Sequence, residues 1–415
     1  MTGAPRHVGV NLLWLVPGVV GGSEEYTTRL LRAVAELDPA DLRLTLFALE
    51  PFVEAHPDLV AAFPTVVAPL DGHRRPERVA TEATWLALQA GRRGVDLLHH
   101  AGGVVPPGPA SARVPSVLTV HDLQPLEHPE HFSPVKRRWL ATMLPRSVRR
   151  ARLVLTPSDP ASASVVRLLG VPADRVATVP HGVVAPGDPD ESARRRVRDR
   201  YRLDGPIVLY PAITYPHKGH ERLVTAFAEA AKLGVESTSN RSDHLGVEST
   251  SNRRQGAPGG GEPVLVLTGG AGSREAAVAA AVRRAGVGDR VRRTGRVPWA
   301  DLEVLYAEAA VVAVPSRYEG FGAPALEAMA AGAPLVAADA TALPWVVGDG
   351  GLLVDPDDAA VWASTLRAVL DDDVLRADLA ARGRARAASF TWDRAGRALL
   401  DGYRRALELR EDGSS

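Results

Sequence analysis

The stretch Val311–Val336 reads VVAVPSRYEGFGAPALEAMAAGAPLV. Val311 to Val314 form a short apolar, β-branched run of the kind that makes a buried strand, and Pro315 ends it. A glycine-containing loop follows, Glu319-Gly320-Phe321-Gly322. Pro324 suits the first helical position, where its missing N–H is no loss. The run ALEAMAA predicts a helix that closes at Gly332, a residue type favoured just past a helix end, and a new strand begins at Pro334. Strand, loop, helix, strand is the repeating unit of a parallel, doubly wound sheet. The helix N-terminus then stands beside the loop at the carboxyl end of the strand. Its unpaired N–H groups and its dipole suit an anion such as a diphosphate. Two carboxylates flank this turn, Glu319 and Glu327. A carboxylate accepts hydrogen bonds on both oxygens and so suits vicinal hydroxyls. Glycines at 320 and 322 let backbone approach a ligand closely. These are parts suited to a sugar, its diphosphate and a ribose.

The same alternation extends over the chain. Short apolar runs at 8–16, 42–49, 95–101, 115–122, 151–158 and 176–182 predict strands in the first half. Runs at 206–212, 263–270, 290–297, 310–316 and 333–339 predict them in the second. Helical patterns lie between most of them. Near-continuous apolar strands alternating with helices imply parallel sheets covered on both faces. The chain has 415 residues, a length that suits two domains. The expected architecture is α/β: two doubly wound, Rossmann-like domains facing across a cleft, with ligands at the carboxyl ends of the strands. The first domain is expected over 1–185, a linker over 186–204 and the second domain over 205–388. A C-terminal helix over 389–415, with Thr391 as N-cap, is expected to pack back toward the first domain. Leu233–Arg241 and Leu245–Arg253 repeat LGVESTSNR, and a Gly-rich run follows, so 233–262 reads as a disordered surface insertion.

Lys and Arg together number 49, as do Asp and Glu, so no global field selects for nucleic acid or membrane. Cys is absent, which excludes disulfides, thiolate metal sites and thiol nucleophiles. The apolar run Val8–Val20 is interrupted by Asn11 and Gly18 and is too short to span a bilayer.

The run Pro-Ser-x-Tyr-Glu-Gly-Phe-Gly-x-Pro-x-Leu-Glu-Ala-Met-Ala-x-Gly-x-Pro, placed at a strand–turn–helix, resembles the signature of the family-4 retaining glycosyltransferases of GT-B type. The resemblance implies that Glu319 contacts the donor sugar, that Glu327 holds the nucleoside ribose, and that the backbone of Gly320, Phe321 and Gly322 lines the sugar pocket. Tyr210–Leu223, YPAITYPHKGHERL, resembles the first strand and helix of the family's nucleotide domain. Lys218 matches the lysine that neutralises the departing diphosphate. The commoner pattern has an arginine five residues before that lysine, where this chain has Ile213. A Pro-His-Lys branch lacks it too. Arg317 and Arg296 are candidates for the second cation.

In the first half, Gly21-Gly22-Ser23-Glu24 is similar to the family's N-terminal glycine loop. That assigns Gly21 and Gly22 to the donor phosphate and Glu24 to the acceptor side. His121-Asp122, at the end of a strand, is similar to the family's His-Asp position. The resemblance makes His121 a catalytic contact to the donor sugar and places Asp122 on the acceptor side, with His99 and His100 as weaker competitors. Thr156–Val183 resembles the segment that closes the first domain, with His181 at a position where asparagine is usual.

Several motifs are set aside. Asp188-Pro189-Asp190 and Asp355-Pro356-Asp357 read as turns, and no catalytic metal is expected. Gly270-x-Gly272 lacks the third glycine of a dinucleotide loop. His128 and His131 show no metal-ligand spacing. Residues 136–152, KRRWLATMLPRSVRRAR, are basic with no acidic residue. They offer a face for peripheral contact with an anionic membrane; a solvated or acceptor-facing helix is the alternative.

The expected function is transfer of a hexose from a nucleoside diphosphate sugar to an acceptor hydroxyl. It would proceed with retention and without metal or cofactor. GDP-mannose is favoured over UDP-sugars as donor, and the expected location is the cytoplasm, including the inner membrane face. The acceptor is open between a glycan, a lipid-linked and a small molecule, and no nucleic-acid partner is expected. A nucleotide-sugar epimerase or phosphorylase on the same fold is one alternative, and a non-catalytic nucleotide-sugar-binding subunit is another.

Overall fold

The structure is a computed structural model and describes residues 4–19, 21–108, 114–239 and 261–409. The chain divides into two compact units. The first is Met1–Gly182 together with Phe390–Ser415, and the second is Val183–Ser389.

The first unit is built on strands β1 (Arg6–Asn11), β2 (Leu42–Ala48), β3 (Thr65–Val67), β4 (Leu97–His100), β5 (Ser116–Thr119), β6 (Leu153–Thr156) and β7 (Val176–Thr178). They form a parallel sheet in the order β3-β2-β1-β4-β5-β6-β7. The second unit carries β8 (Ile207–Pro211), β9 (Val264–Thr268), β10 (Val291–Gly295), β11 (Ala309–Val314), β12 (Leu335–Ala338) and β13 (Leu352–Val354). These are also parallel, in the order β10-β9-β8-β11-β12-β13. Both orders are Rossmann-like. Each sheet reverses its winding once, between β1 and β4 and between β8 and β11. In open α/β sheets ligands bind outside the carboxyl ends of the strands at such a reversal. β4, β5, β6 and β12 are buried at every position, as strands of a parallel sheet covered on both faces are. The edge strands β3 and β13 are three residues long and only partly buried, and no apolar run announced them.

The C-terminal helix Trp392–Glu408 belongs to the first unit. The Thr391 side chain caps it by accepting from the Arg394 N–H at 3.2 Å. Its apolar face, with Ala395, Leu399, Leu400 and Tyr403, joins a core cluster that includes Val8, Tyr26 and Leu44. Gly396 permits the approach, because a Cβ there would lie 2.9 Å from Leu37 Cδ1.

Two expected boundaries are corrected. The stretch 186–204 is part of the second unit rather than a linker. It forms the helix Glu191–Tyr201, capped by Asp190, which accepts from the Ala193 N–H at 2.7 Å. That helix supplies the partners of two nearly buried carboxylates. Arg198 Nε donates to Glu308 at 2.8 Å, and the Tyr201 hydroxyl donates to Asp301 at 2.8 Å. A buried carboxylate without such partners would be strongly destabilising. The second correction concerns 233–262. The helix His220–Ser239 carries its backbone into the first copy of the repeat as far as Ser239, and Gly261 and Glu262 pack on Asp204 and Gly205. The rest of the expected insertion, 240–260, lies outside the described residues.

Leu399→Ala is expected to lower the stability of the first unit by about 2–5 kcal/mol, the usual range for a fully buried leucine. A denaturant titration that follows Trp392 fluorescence reads this as a lower midpoint.

Candidate active site

At the winding reversal of the second sheet, the loops after β8 and β11 are pressed together. Gly219 has φ +71°, and a Cβ there would stand 2.5 Å from the Pro315 carbonyl oxygen, so only glycine fits. The Arg317 N–H donates to the His217 carbonyl at 2.8 Å. The Tyr210 hydroxyl, rising from buried β8, donates to the Lys218 carbonyl at 2.8 Å and lies 2.9 Å from Ser316 Oγ. These ties bring Lys218 Nζ to 2.6 Å from Glu319 Oε1, as donor to acceptor. Both side chains are mostly covered, at 17% and 11% exposure. Two of the three residues expected to be catalytic, Lys218 and Glu319, thus form one ion pair.

Gly322 precedes the helix Ala323–Ala331 with φ +103°, and a Cβ there would meet Leu343 Cδ2 at 2.7 Å. Its strained conformation turns the backbone so that the helix N-terminus follows the Glu319-Gly320-Phe321 loop directly. The Phe321 side chain is buried and edge-on to Trp345, which leaves the backbone rather than the ring to face a ligand. Glu327 lies one turn into the helix and accepts from the Tyr306 hydroxyl at 2.7 Å. The Glu319 N–H donates to Thr341 Oγ1 at 2.9 Å, and Thr341 itself has φ +48°. Tyr306, Thr341 and Tyr210 were not singled out from the sequence. Their roles depend on contacts 21 to 106 residues apart, which no local pattern announces.

Arg317 does not face the Lys218–Glu319 pair alone: it is ion-paired with Asp357, which also has Arg222 at 3.7 Å. Arg296 and Ile213 both flank Gly270, with Arg296 Nε 3.5 Å and Ile213 Cγ1 3.8 Å from where a Cβ would sit there. The neighbouring glycines have a packing reason. A Cβ at Gly269 would lie 2.5 Å from the Ala212 carbonyl oxygen, and one at Gly272 2.5 Å from that of Thr214.

In the first unit, Gly21 has φ +68° and starts the helix Gly22–Leu37. Glu24 accepts from the Gly18 N–H at 2.8 Å and lies 3.4 Å from His56 Nε2, so it braces the loop that precedes its own helix. His121 Nε2 lies 2.9 Å from the Ala101 carbonyl oxygen. A carbonyl can only accept, so this nitrogen carries the proton. Burial holds the imidazole below its ordinary pKa, so it is neutral and Nδ1 is the acceptor nitrogen. The ring sits among Trp14 and Tyr26, at centroid distances of 6.2 and 5.6 Å, and Tyr26 stacks on His181 at 4.3 Å. Asp122 accepts from the Gln124 N–H at 3.0 Å.

His99 and His100 are core residues. His99 lies 2.7 Å from both the Tyr403 and Thr119 hydroxyls, and His100 Nδ1 lies 3.3 Å from the Asn11 amide. Asp188-Pro189-Asp190 and Asp355-Pro356-Asp357 contain a helix cap and a carboxylate that accepts from the N–H two residues on. His128 and His131 are a correction: the structure gathers them with Glu130 into one cluster. A cavity of about 590 Å³ near the amino ends of β2 and β3 is lined by His7, Arg43, Thr45, Phe63 and Arg93, none of them a predicted site residue.

Two Rossmann-like units with a covered Lys–Glu pair at a strand-end reversal are those of a GT-B glycosyltransferase. A family model described as Glycosyltransferase Family 4 matches residues 20–186, and one described as Glycosyl transferases group 1 matches 256–372. O-antigen chain mannosyltransferase B of Escherichia coli is 32% identical over 291 residues, which cover 70% of each chain. D-inositol 3-phosphate glycosyltransferase of Xylanimonas cellulosilytica is 38% identical over 258 residues, 59% of this chain and 55% of that one. Among solved structures, Anabaena HepE in complex with UDP-glucose superposes with a TM-score of 0.69 at 22% identity, over 96% of this chain and 99% of the other. The chain belongs to the family-4 glycosyltransferases.

Burial pushes both His99 and His100 down to about 3, against 6.5 for an unfolded histidine. The unfolded chain therefore binds protons that the folded unit does not. Stability is complete above about pH 6.5 and falls as the pH drops from there toward 3, by about 1.4 kcal/mol per pH unit for each histidine. Melting temperatures measured from pH 7.5 to 4.5 should fall accordingly, and His100→Gln should flatten the slope.

Proposed function

We propose that this chain transfers a hexose from a nucleoside diphosphate sugar to an acceptor hydroxyl, with retention of anomeric configuration and without a metal at the diphosphate. The observation that carries this reading is the Lys218–Glu319 pair beside a helix N-terminus at the strand-end reversal. The helix N-terminus and Lys218 offer positive potential to a diphosphate, and Glu319 offers two acceptor oxygens to sugar hydroxyls. As the glycosidic C–O bond breaks, its electron pair passes to the diphosphate oxygen, where Lys218 stabilises the growing charge. The acceptor oxygen bonds to the anomeric carbon on the same face, and its proton goes to the departing diphosphate. Glu327, oriented by Tyr306, takes the ribose hydroxyls. His121 accepts a hydrogen bond from a sugar hydroxyl on Nδ1. Gly21 and Gly22 are assigned to the donor phosphate, and Glu24 and Asp122 to the acceptor. Arg296, beside Ile213, and Arg317, which is paired with Asp357, are the two candidates for the second cation at the diphosphate.

GDP-mannose is the favoured donor. The Escherichia coli relative is a mannosyltransferase by name, and the Pro-His-Lys sequence at 216–218 suits that branch. The UDP-glucose in the Anabaena structure makes UDP-sugars the comparison set.

Glu319→Ala and Lys218→Ala should each reduce acceptor-dependent release of nucleoside diphosphate by at least about tenfold with melting curves still cooperative. Near-normal turnover in either would remove the role assigned to that residue. Nucleotide release without any acceptor, or binding without turnover, would favour an epimerase-type or a non-catalytic protein instead.

The helix Pro134–Arg150 exposes Lys136, Arg137, Arg138, Arg146, Arg149 and Arg150 and buries Met143, Leu144 and Val148. No helix among the described residues is long and apolar enough to cross a membrane. This basic face is the contact for anionic lipid at the inner membrane surface. Flotation with phosphatidylglycerol vesicles should carry the protein upward at low salt and release it at high salt. Failure to float at any salt concentration would eliminate the contact.

A further inference from the structure

Downstream of β5 in the first unit, the chain turns through Gln124–Glu127 and then through a single 3-10 turn at Pro129–His131. This turn folds His128, Glu130 and His131 onto one another. One donor atom from each lies within 4.8 Å of the other two. His128 Nδ1 is 3.2 Å from Glu130 Oε1, and His131 Nε2 is 3.7 Å from the same oxygen. The two imidazoles stack, with centroids 5.2 Å apart and planes inclined by 16°. Pro129 between the first two residues fixes the chain direction, so the gathering follows from the backbone and not from long flexible side chains.

We propose that His128, Glu130 and His131 form a binding site for a divalent transition-metal ion of the zinc, cobalt or nickel type. Two imidazole nitrogens and one carboxylate oxygen are a three-ligand set that such ions accept, with a fourth position left to water. Metal–ligand bonds of about 2.0–2.1 Å in a tetrahedral arrangement separate the ligand atoms by roughly 3.3 Å. The 3.2 and 3.7 Å separations bracket that value. The remaining histidine–histidine edge closes by rotation of His128, whose side chain is 37% exposed. Magnesium and calcium are disfavoured, because they require several oxygen ligands and the set holds one carboxylate.

The surroundings supply an orienting partner. Gln124 places its side-chain amide 3.2 Å from His131 Nδ1, the ring nitrogen that would point away from the ion. Metal on Nε2 requires the proton on Nδ1, which then donates to the Gln124 carbonyl oxygen once that amide is turned by 180°. Gln124 is itself held by its own N–H to Asp122 at 3.0 Å. Such second partners set the ring orientation and the tautomer of a ligating histidine. The site is in the first unit and uses none of the residues assigned above to the donor, so it stands independently of the proposed reaction.

The test uses the full chain stripped with EDTA and dialysed. Calorimetry with zinc chloride should show one equivalent bound, and cobalt chloride should give the visible absorption of a four-coordinate ion. His128→Gln, His131→Gln and Glu130→Gln should each weaken zinc binding by at least about tenfold and abolish the cobalt bands. His73→Gln, at an exposed histidine outside the cluster, should leave both unchanged. Circular dichroism melts establish that each variant is folded, and the exposed Glu130 provides a variant that removes a ligand without touching packing. Absence of stoichiometric zinc binding by the unaltered chain would overturn the site, as would binding that persists in the three variants.

Discussion

The contact between the loops after β8 and β11 is the constraint on which the second unit's chemistry depends. Parallel strands that neighbour each other at a winding reversal send their following helices to opposite faces of the sheet. A gap would open between the two loops unless something filled it. Here the backbone fills it. Gly219 lies against the Pro315 carbonyl, and the Arg317 N–H reaches the His217 carbonyl. The Tyr210 hydroxyl bonds to one loop and touches the other from below. Two loops held at several points have little freedom left, so Lys218 and Glu319 meet without much further loss of conformational entropy. This is preorganisation: the charged groups are oriented by the fold before any ligand arrives.

The first unit has a different electrostatic character at its strand ends. Its histidines are buried among aromatic rings and hydroxyls and are held neutral by desolvation. A neutral imidazole whose Nε2 proton is committed to a carbonyl presents a hydrogen-bond acceptor and not a cation. His121 is therefore suited to receive a hydroxyl proton in a hydrogen bond and unsuited to neutralise a phosphate. The second unit carries the covered lysine and the helix N-terminus. In the proposed reaction the two units would divide the chemistry by charge, with anion binding assigned to the second and hydroxyl recognition to the first.

The fold was legible from the sequence wherever burial was complete. β6, β8 and β12 are mainly apolar because both faces are covered, and turn residues bound them. The three-residue edge strands β3 and β13 lacked that signal. The seam at 186–204 misled because its residues are polar; Arg194 and Arg198 pair with Glu308, and Arg200 with Asp301, across 100 or more residues. The site was half legible. Glu319, Gly322, Glu327 and Lys218 stand in local patterns that chemistry recognises. Tyr210, Tyr306 and Thr341 are placed by tertiary contact and carry no local mark. His128 and His131 were dismissed on spacing, yet a 3-10 turn closes a three-residue interval that an extended chain would leave open.

The Lys218–Glu319 bond also shapes what a ligand must do. A covered pair is costly to break if either charge is left alone, about 3–5 kcal/mol for a buried one. A diphosphate sugar need not leave either alone. Its phosphate oxygens offer Lys218 a new anion, and its hydroxyls offer Glu319 new donors, so both charges exchange partners in one event. A nucleoside diphosphate without its sugar satisfies only the lysine, and a sugar without its diphosphate satisfies only the glutamate. In the proposed reaction the pair would therefore favour the intact donor over either fragment. That selectivity arises from the cost of stranding a covered charge and needs no additional contact.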